Sequence, residues 1–201
     1  MKIKLFKMSE SFLPSGDVLE QLVLKWGTPP DTKTRCRSDQ YIRMMKILYG
    51  RYENYEQWLK EPGTKKQMEM NLGNFVQEYI GNLKNHMNYK TGHETSLDGE
   101  NVKENGTKII YEMKIDQNTT NDASLKKSIE RLEKVAKKYK VQPLLIQFFR
   151  ESKISEKNKF KDILISGEDY LNKHVSPTIG GIDGLISHME RHFYRKFASA
   201  V

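Results

Sequence analysis

In residues 96–121, SLDGENVKENGTKIIYEMKIDQNTTN, three charged side chains have types and spacing that can do chemistry. Asp98 stands before a turn rich in Asn and Gly, and Glu112 and Lys114 follow two apart in an apolar run. A period of two in KIIYEMKID puts Ile109, Tyr111, Met113 and Ile115 on one strand face and Ile110, Glu112 and Lys114 on the other. Glu112 and Lys114 then point the same way, ~7 Å apart along the strand. Asp98, expected at the end of a preceding strand HETSLDGE, is brought beside Glu112 by antiparallel pairing or by a splayed strand end. Two carboxylates without a nearby thiol form a hard oxygen site suited to Mg²⁺, with Mn²⁺ as a substitute. Such an ion polarises a phosphate and acidifies water, while Lys114 orients the water or stabilises developing charge. That chemistry is phosphodiester hydrolysis.

Elements on either side must position these groups. DVLEQLVLKW reads as a short amphipathic helix stopped by GTPPD, and SDQYIRMMKILYGRYENYEQWLKEPG as two helices in series interrupted at Gly50. TKKQMEMNLGNFVQEYIGNLKNHMN carries a helical stripe of Met68, Leu72, Phe75, Val76, Tyr79, Ile80 and Leu83. Two strands and a loop follow Gly92, with NVKENG as the hairpin connection. NDASLKKSIERLEKVAKKYK returns to helical period. VQPLLIQFFRE has the continuous apolar character of a strand covered on both faces. A short strand in FKDILIS, a helix near GEDYLNKHV and a last helix in IDGLISHMERHFYRKFASA complete the chain. This order predicts an α/β or α+β sandwich around a small mixed sheet. Ile110 shares the face of Glu112 and Lys114, so those charges are expected at the margin of a buried face, where charge needs a partner or a task.

The 201 residues suit one well-cored domain, with 37% hydrophobic and 30% charged content fitting a soluble globular protein. No apolar run is long enough for a membrane span, and the N-terminus lacks the features of a secretory signal. Cys36 is the single cysteine, which excludes a disulfide framework and a multi-thiolate zinc site and points to a reducing cytoplasm. The net charge of +8 favours polyanions such as nucleic acid or anionic lipid.

Asp98, a turn, and then EMK in a strand resemble the catalytic signature of the PD-(D/E)xK nucleases, especially type II restriction endonucleases. Leu97 stands where many members carry proline. The family's core of helix, acidic β-meander, second helix and strand matches residues 65–150 in order. The resemblance therefore implies an α/β fold, with a small mixed sheet flanked by helices and extra helices at both ends. It also implies Asp98 and Glu112 as metal ligands, Lys114 as a catalytic group, and Glu78 as a helical glutamate in or behind the metal shell. Residues 1–64 would then be a helical region serving DNA contacts or dimerisation.

The implied activity is Mg²⁺-dependent cleavage of double-stranded DNA at a short specific sequence by a homodimer, with no small-molecule cofactor. A structure-selective repair or junction-resolving nuclease and a non-catalytic basic nucleic-acid-binding protein are the alternatives. Asn118, Thr119, Thr120 and Asn121 could bond phosphates or base edges, or cap the next helix. Lys33, Arg35, Arg37 and Arg43 form the best DNA-contacting segment, a solvated basic face being the plainer reading. Glu94 is the alternative to Asp98 as acidic ligand. His93 reads as structural, His188 and His192 as a surface pair, and TIGGIDG as a flexible link.

Overall fold

The computed structural model describes residues 13–26, 39–58, 60–89, 93–115, 122–150, 154–155 and 157–198. Lys33, Arg35, Arg37, Asn118, Thr119, Thr120 and Asn121 lie outside these residues. The described residues form a five-stranded mixed sheet between two helical layers, an α/β architecture. No helix among the described residues is long and apolar enough to cross a membrane.

The strands are β1 (His86–Asn88), β2 (Gly99–Val102), β3 (Lys108–Lys114), β4 (Gln142–Gln147) and β5 (Leu164–Ser166), adjacent in that order. The first three make an antiparallel meander, while β3, β4 and β5 run parallel. Parallel neighbours need a crossover, which the helix Asp122–Tyr139 supplies between β3 and β4. In chain order the helices are α1 (Gly16–Trp26), α2 (Asp39–Tyr49), α3 (Tyr55–Trp58), α4 (Pro62–Gly81), α5 (Asp122–Tyr139), α6 (Gly167–Tyr170) and α7 (Gly181–Ala198).

The alternation in β3 decides which layer meets which side chain. Ile109, Tyr111 and Met113 enter a large core with α1, α2, α4 and α7, where Leu72, Phe75 and Ile80 of α4 are fully buried. Ile110 faces the opposite way, into a smaller core with Leu145, Leu164 and Ile129, Leu132 and Ala136 of α5. Helix α5 thus covers the face that Ile110 shares with Glu112. The β4 run Leu144, Leu145 and Ile146 is buried throughout, as a strand with helices on both sides must be.

Three local expectations are corrected. The helix of residues 62–81 stops at Asn82, and His86–Asn88 form β1 instead of extending it. Asn85 has φ 66, a left-handed conformation that asparagine tolerates and that turns the chain into the sheet. Residues 93–98 are a turn and not a strand, so Asp98 stands just before β2 instead of ending a strand. Here the Thr95 N–H donates to His93 Nδ1 (3.3 Å), the Leu97 N–H donates to Thr95 Oγ1 (3.3 Å), and Ser96 has φ 54. These side-chain bonds compete with ladder pairing. TIGGIDG is a fixed corner, not a flexible link: Pro177–Ile179 form a 3₁₀ turn, and Gly181 begins α7 with φ 64. The following Ile182 N–H donates to Glu168 Oε2 (2.8 Å).

Candidate active site

Asp98, Glu112 and Lys114 converge at the end of β3. The Asp98 N–H donates to the Tyr111 carbonyl (3.1 Å), and its Oδ2 accepts from the Met113 N–H (2.6 Å). These two bonds straddle Glu112, so the Asp98 carboxylate is held against β3 beside the Glu112 side chain. The neighbouring Gly99 sits where no side chain would fit. A Cβ there would lie closer than 3.0 Å to the Met87 carbonyl and the Tyr111 hydroxyl.

Glu112 is 2% exposed, an expensive position for a carboxylate unless its oxygens are bonded. Both are. Oε1 receives the Ser128 hydroxyl (2.8 Å) and the Lys114 ammonium (2.7 Å), and Oε2 receives the Arg131 guanidinium. Burial on its own would raise the carboxyl of Glu112. Hydrogen bonds from Lys114 and Arg131, the Lys114 charge and the Ser128 hydroxyl outweigh it and hold the group below the ordinary glutamate range. Asp98 goes the other way. Burial raises its carboxyl and the Glu112 charge adds to the rise, against the Met113 N–H and the positive charges of Lys114 and Arg131. One carboxylate is thus held charged and its neighbour is pushed towards protonation, as close like charges dictate.

Glu78, expected in or behind a metal shell, meets Asp98 only across a cleft that Glu112 and Lys114 do not line. It lines a cleft of about 630 Å³ together with Asp98, Lys25, Trp26, Tyr89 and His93, and its carboxylate is ion-paired with Lys25. The Tyr89 and His93 rings stack in this cleft with centroids 4.0 Å apart. Asp98 is the residue common to the cleft and to the Glu112 cluster.

Three other sequence candidates lie elsewhere. Glu94 is exposed and accepts a hydrogen bond from the Tyr139 hydroxyl (2.5 Å) at the end of α5, while Asp98 occupies the position beside Glu112. Arg43, expected on a basic DNA-facing surface, is bonded to α7: Glu190 Oε2 lies at 2.7 Å and Asp183 Oδ1 at 3.0 Å. Its charge is used in helix packing. His192, read as half of a surface histidine pair, is bonded to Glu20 Oε1 of α1 (2.9 Å).

Sequence reasoning missed Ser128 and Arg131. Their spacing of three on α5 puts them on one helix turn, but only the tertiary fold shows that this turn covers Glu112. The sequence marks His93 only as a structural histidine, and its stacking on Tyr89 is not legible there because the two rings meet only in the fold.

Asp98 and Glu112 offer hard oxygen donors without thiolate or imidazole, a set that fits Mg²⁺ or Mn²⁺ and not zinc. Among the described residues no group of three His, Cys, Asp or Glu side chains could hold a metal ion. Two carboxylates would leave the rest of a Mg²⁺ shell to water and phosphate, which is how that ion is usually held. Searches against protein-family models and curated proteins find nothing that matches this chain.

Proposed function

We propose that the protein is a Mg²⁺-dependent endonuclease that hydrolyses phosphodiester bonds of double-stranded DNA, of the PD-(D/E)xK type and akin to a type II restriction endonuclease. One observation carries the reading. Asp98 is bonded to the backbone on either side of Glu112, and Lys114, from the same strand face, is bonded to that glutamate in a buried position. The order around it supports the same reading: α4, the three-stranded meander, α5 and β4 follow one another through residues 62–147.

When bound, Mg²⁺ supplies Lewis acidity at the phosphate and a more acidic water. Asp98 and Glu112 would hold it, Asp98 being fixed by the Met113 N–H and Glu112 by Ser128. Lys114, 31% exposed at its side chain, orients the attacking water or stabilises the negative charge that builds on phosphorus. Glu78, facing the cleft, supports this edge from α4. The +8 net charge draws the polyanionic substrate, and the reducing cytoplasm is the compartment that a chain with one cysteine suits. Cutting a short palindromic sequence would use a two-fold dimer with one site in each subunit.

The test is incubation of purified protein with plasmid DNA and Mg²⁺. Discrete, reproducible fragments support the reading. Cutting confined to branched or damaged DNA would reassign the same chemistry to a structure-selective nuclease, and no cleavage with Mg²⁺ or Mn²⁺ would refute it.

A further inference from the structure

Helix α5 contributes to this site as well as covering it. Ser128 and Arg131 both bond Glu112, one at each carboxylate oxygen. The charges that act on Asp98 are those of Glu112, Lys114 and Arg131, so the cluster holds two carboxylates and two cations. With both carboxylates ionised, as metal binding requires, its formal charge already balances. A divalent ion bound between Asp98 and Glu112 would leave two surplus positive charges in a partly buried site, which favours release of one resident cation.

Of the two, Arg131 is the more exposed and bonds Oε2, the oxygen that Lys114 and Ser128 do not share. The Lys114 ammonium shares Glu112 Oε1 with Ser128, and its side chain is the less exposed of the two, 31% against 42%. Arg131 reaches from a helix on a long side chain that is 42% exposed, so its guanidinium can swing into water at little cost. A released guanidinium is also a planar fork of donors suited to phosphate.

We propose that Arg131 is a resident counter-ion of Glu112 that a divalent cation displaces, so that metal and guanidinium compete for one carboxylate. This rests on the reading of Asp98 and Glu112 as a Mg²⁺ site. Arg131 is then a positioning residue that keeps the Glu112 carboxylate correctly aimed until the ion arrives.

Calorimetric titration of the full chain with MnCl₂, in the absence of DNA, reads this directly. Losing a charge-assisted contact to Glu112 makes Arg131→Ala and Arg131→Gln bind Mn²⁺ about tenfold more tightly than the unsubstituted protein. Arg131→Lys stays close to it, and Glu112→Gln loses the binding. Thermal unfolding confirms that each variant is folded, with Arg131→Gln retaining the length of the side chain. Equal or weaker Mn²⁺ binding by both neutral variants, in protein that cuts plasmid DNA, overturns the competition and leaves the nuclease reading standing. Absence of both Mn²⁺ binding and plasmid cutting in the unsubstituted protein overturns the two together.

Discussion

Ser128→Ala removes one hydroxyl from the most buried charge in the candidate site. Ser128 and Glu112 are 6% and 2% exposed, and the hydroxyl donates to Oε1 at 2.8 Å. A hydrogen bond to a charged group contributes about 1.5–3 kcal/mol. The lower part of that range applies, because Lys114 continues to bond the same oxygen. Alanine recovers about 0.5 kcal/mol through helix propensity in α5. The expected net loss is about 1–2 kcal/mol, read as a lower midpoint in urea unfolding followed by circular dichroism. In a Glu112→Gln background the acceptor is neutral, and the same substitution should cost only about 0.5 kcal/mol. The coupling between the two positions is then about 1 kcal/mol. Equal costs in both backgrounds would refute the claim that Ser128 acts through the charge of Glu112.

Further outcomes follow from the same structure. Gly99→Ala drives a methyl against the Met87 carbonyl and the Tyr111 hydroxyl, and should destabilise the fold by about 1–3 kcal/mol in the same assay. Arg43→Ala loses the contacts to Glu190 and Asp183, and should lower stability by about 1 kcal/mol while leaving DNA affinity within about twofold. His86 is pulled down to about 4 by burial, against the Lys84 carbonyl, and its other nitrogen meets the Tyr170 hydroxyl at 2.9 Å. The unfolded chain therefore takes up a proton at this residue below pH ~6.5 while the folded one does not until about 4. The contribution is intact above pH ~6.5 and is lost as pH falls to about 4, amounting to as much as ~3 kcal/mol. Urea midpoints measured across that window in the unsubstituted protein and in His86→Gln should converge at the acid end.

The period of two in KIIYEMK carried most of what was legible in the sequence. It assigns Ile109, Tyr111 and Met113 to one layer and Ile110 to the other, and the cores divide along that line. The helical stripe of α4 and the apolar run of β4 are similarly local patterns, which is why both elements are readable. HMN in β1 offers no alternation long enough to register, and its strand character comes from pairing with β2. The turn of residues 93–98 depends on which side chains bond which backbone groups, a choice made by contacts only ångströms long. At the site, Glu112 and Lys114 share a face by their spacing alone. The bond from Met113 to Asp98 and the bonds from α5 to Glu112 span 15 to 19 residues, so they exist only once the meander and crossover have formed.

Lys114→Ala is the decisive substitution, because in the proposed reading Lys114 is the catalytic group that does not itself hold the ion. Single-turnover cleavage at saturating enzyme and Mg²⁺ separates chemistry from binding, with DNA affinity measured in parallel. The expected result is a rate lowered by about 10²–10⁴-fold, with DNA affinity changed by no more than about threefold. A Lys114→Ala protein that cuts DNA at the unsubstituted rate would contradict the assignment of the Asp98, Glu112 and Lys114 cluster as the catalytic centre.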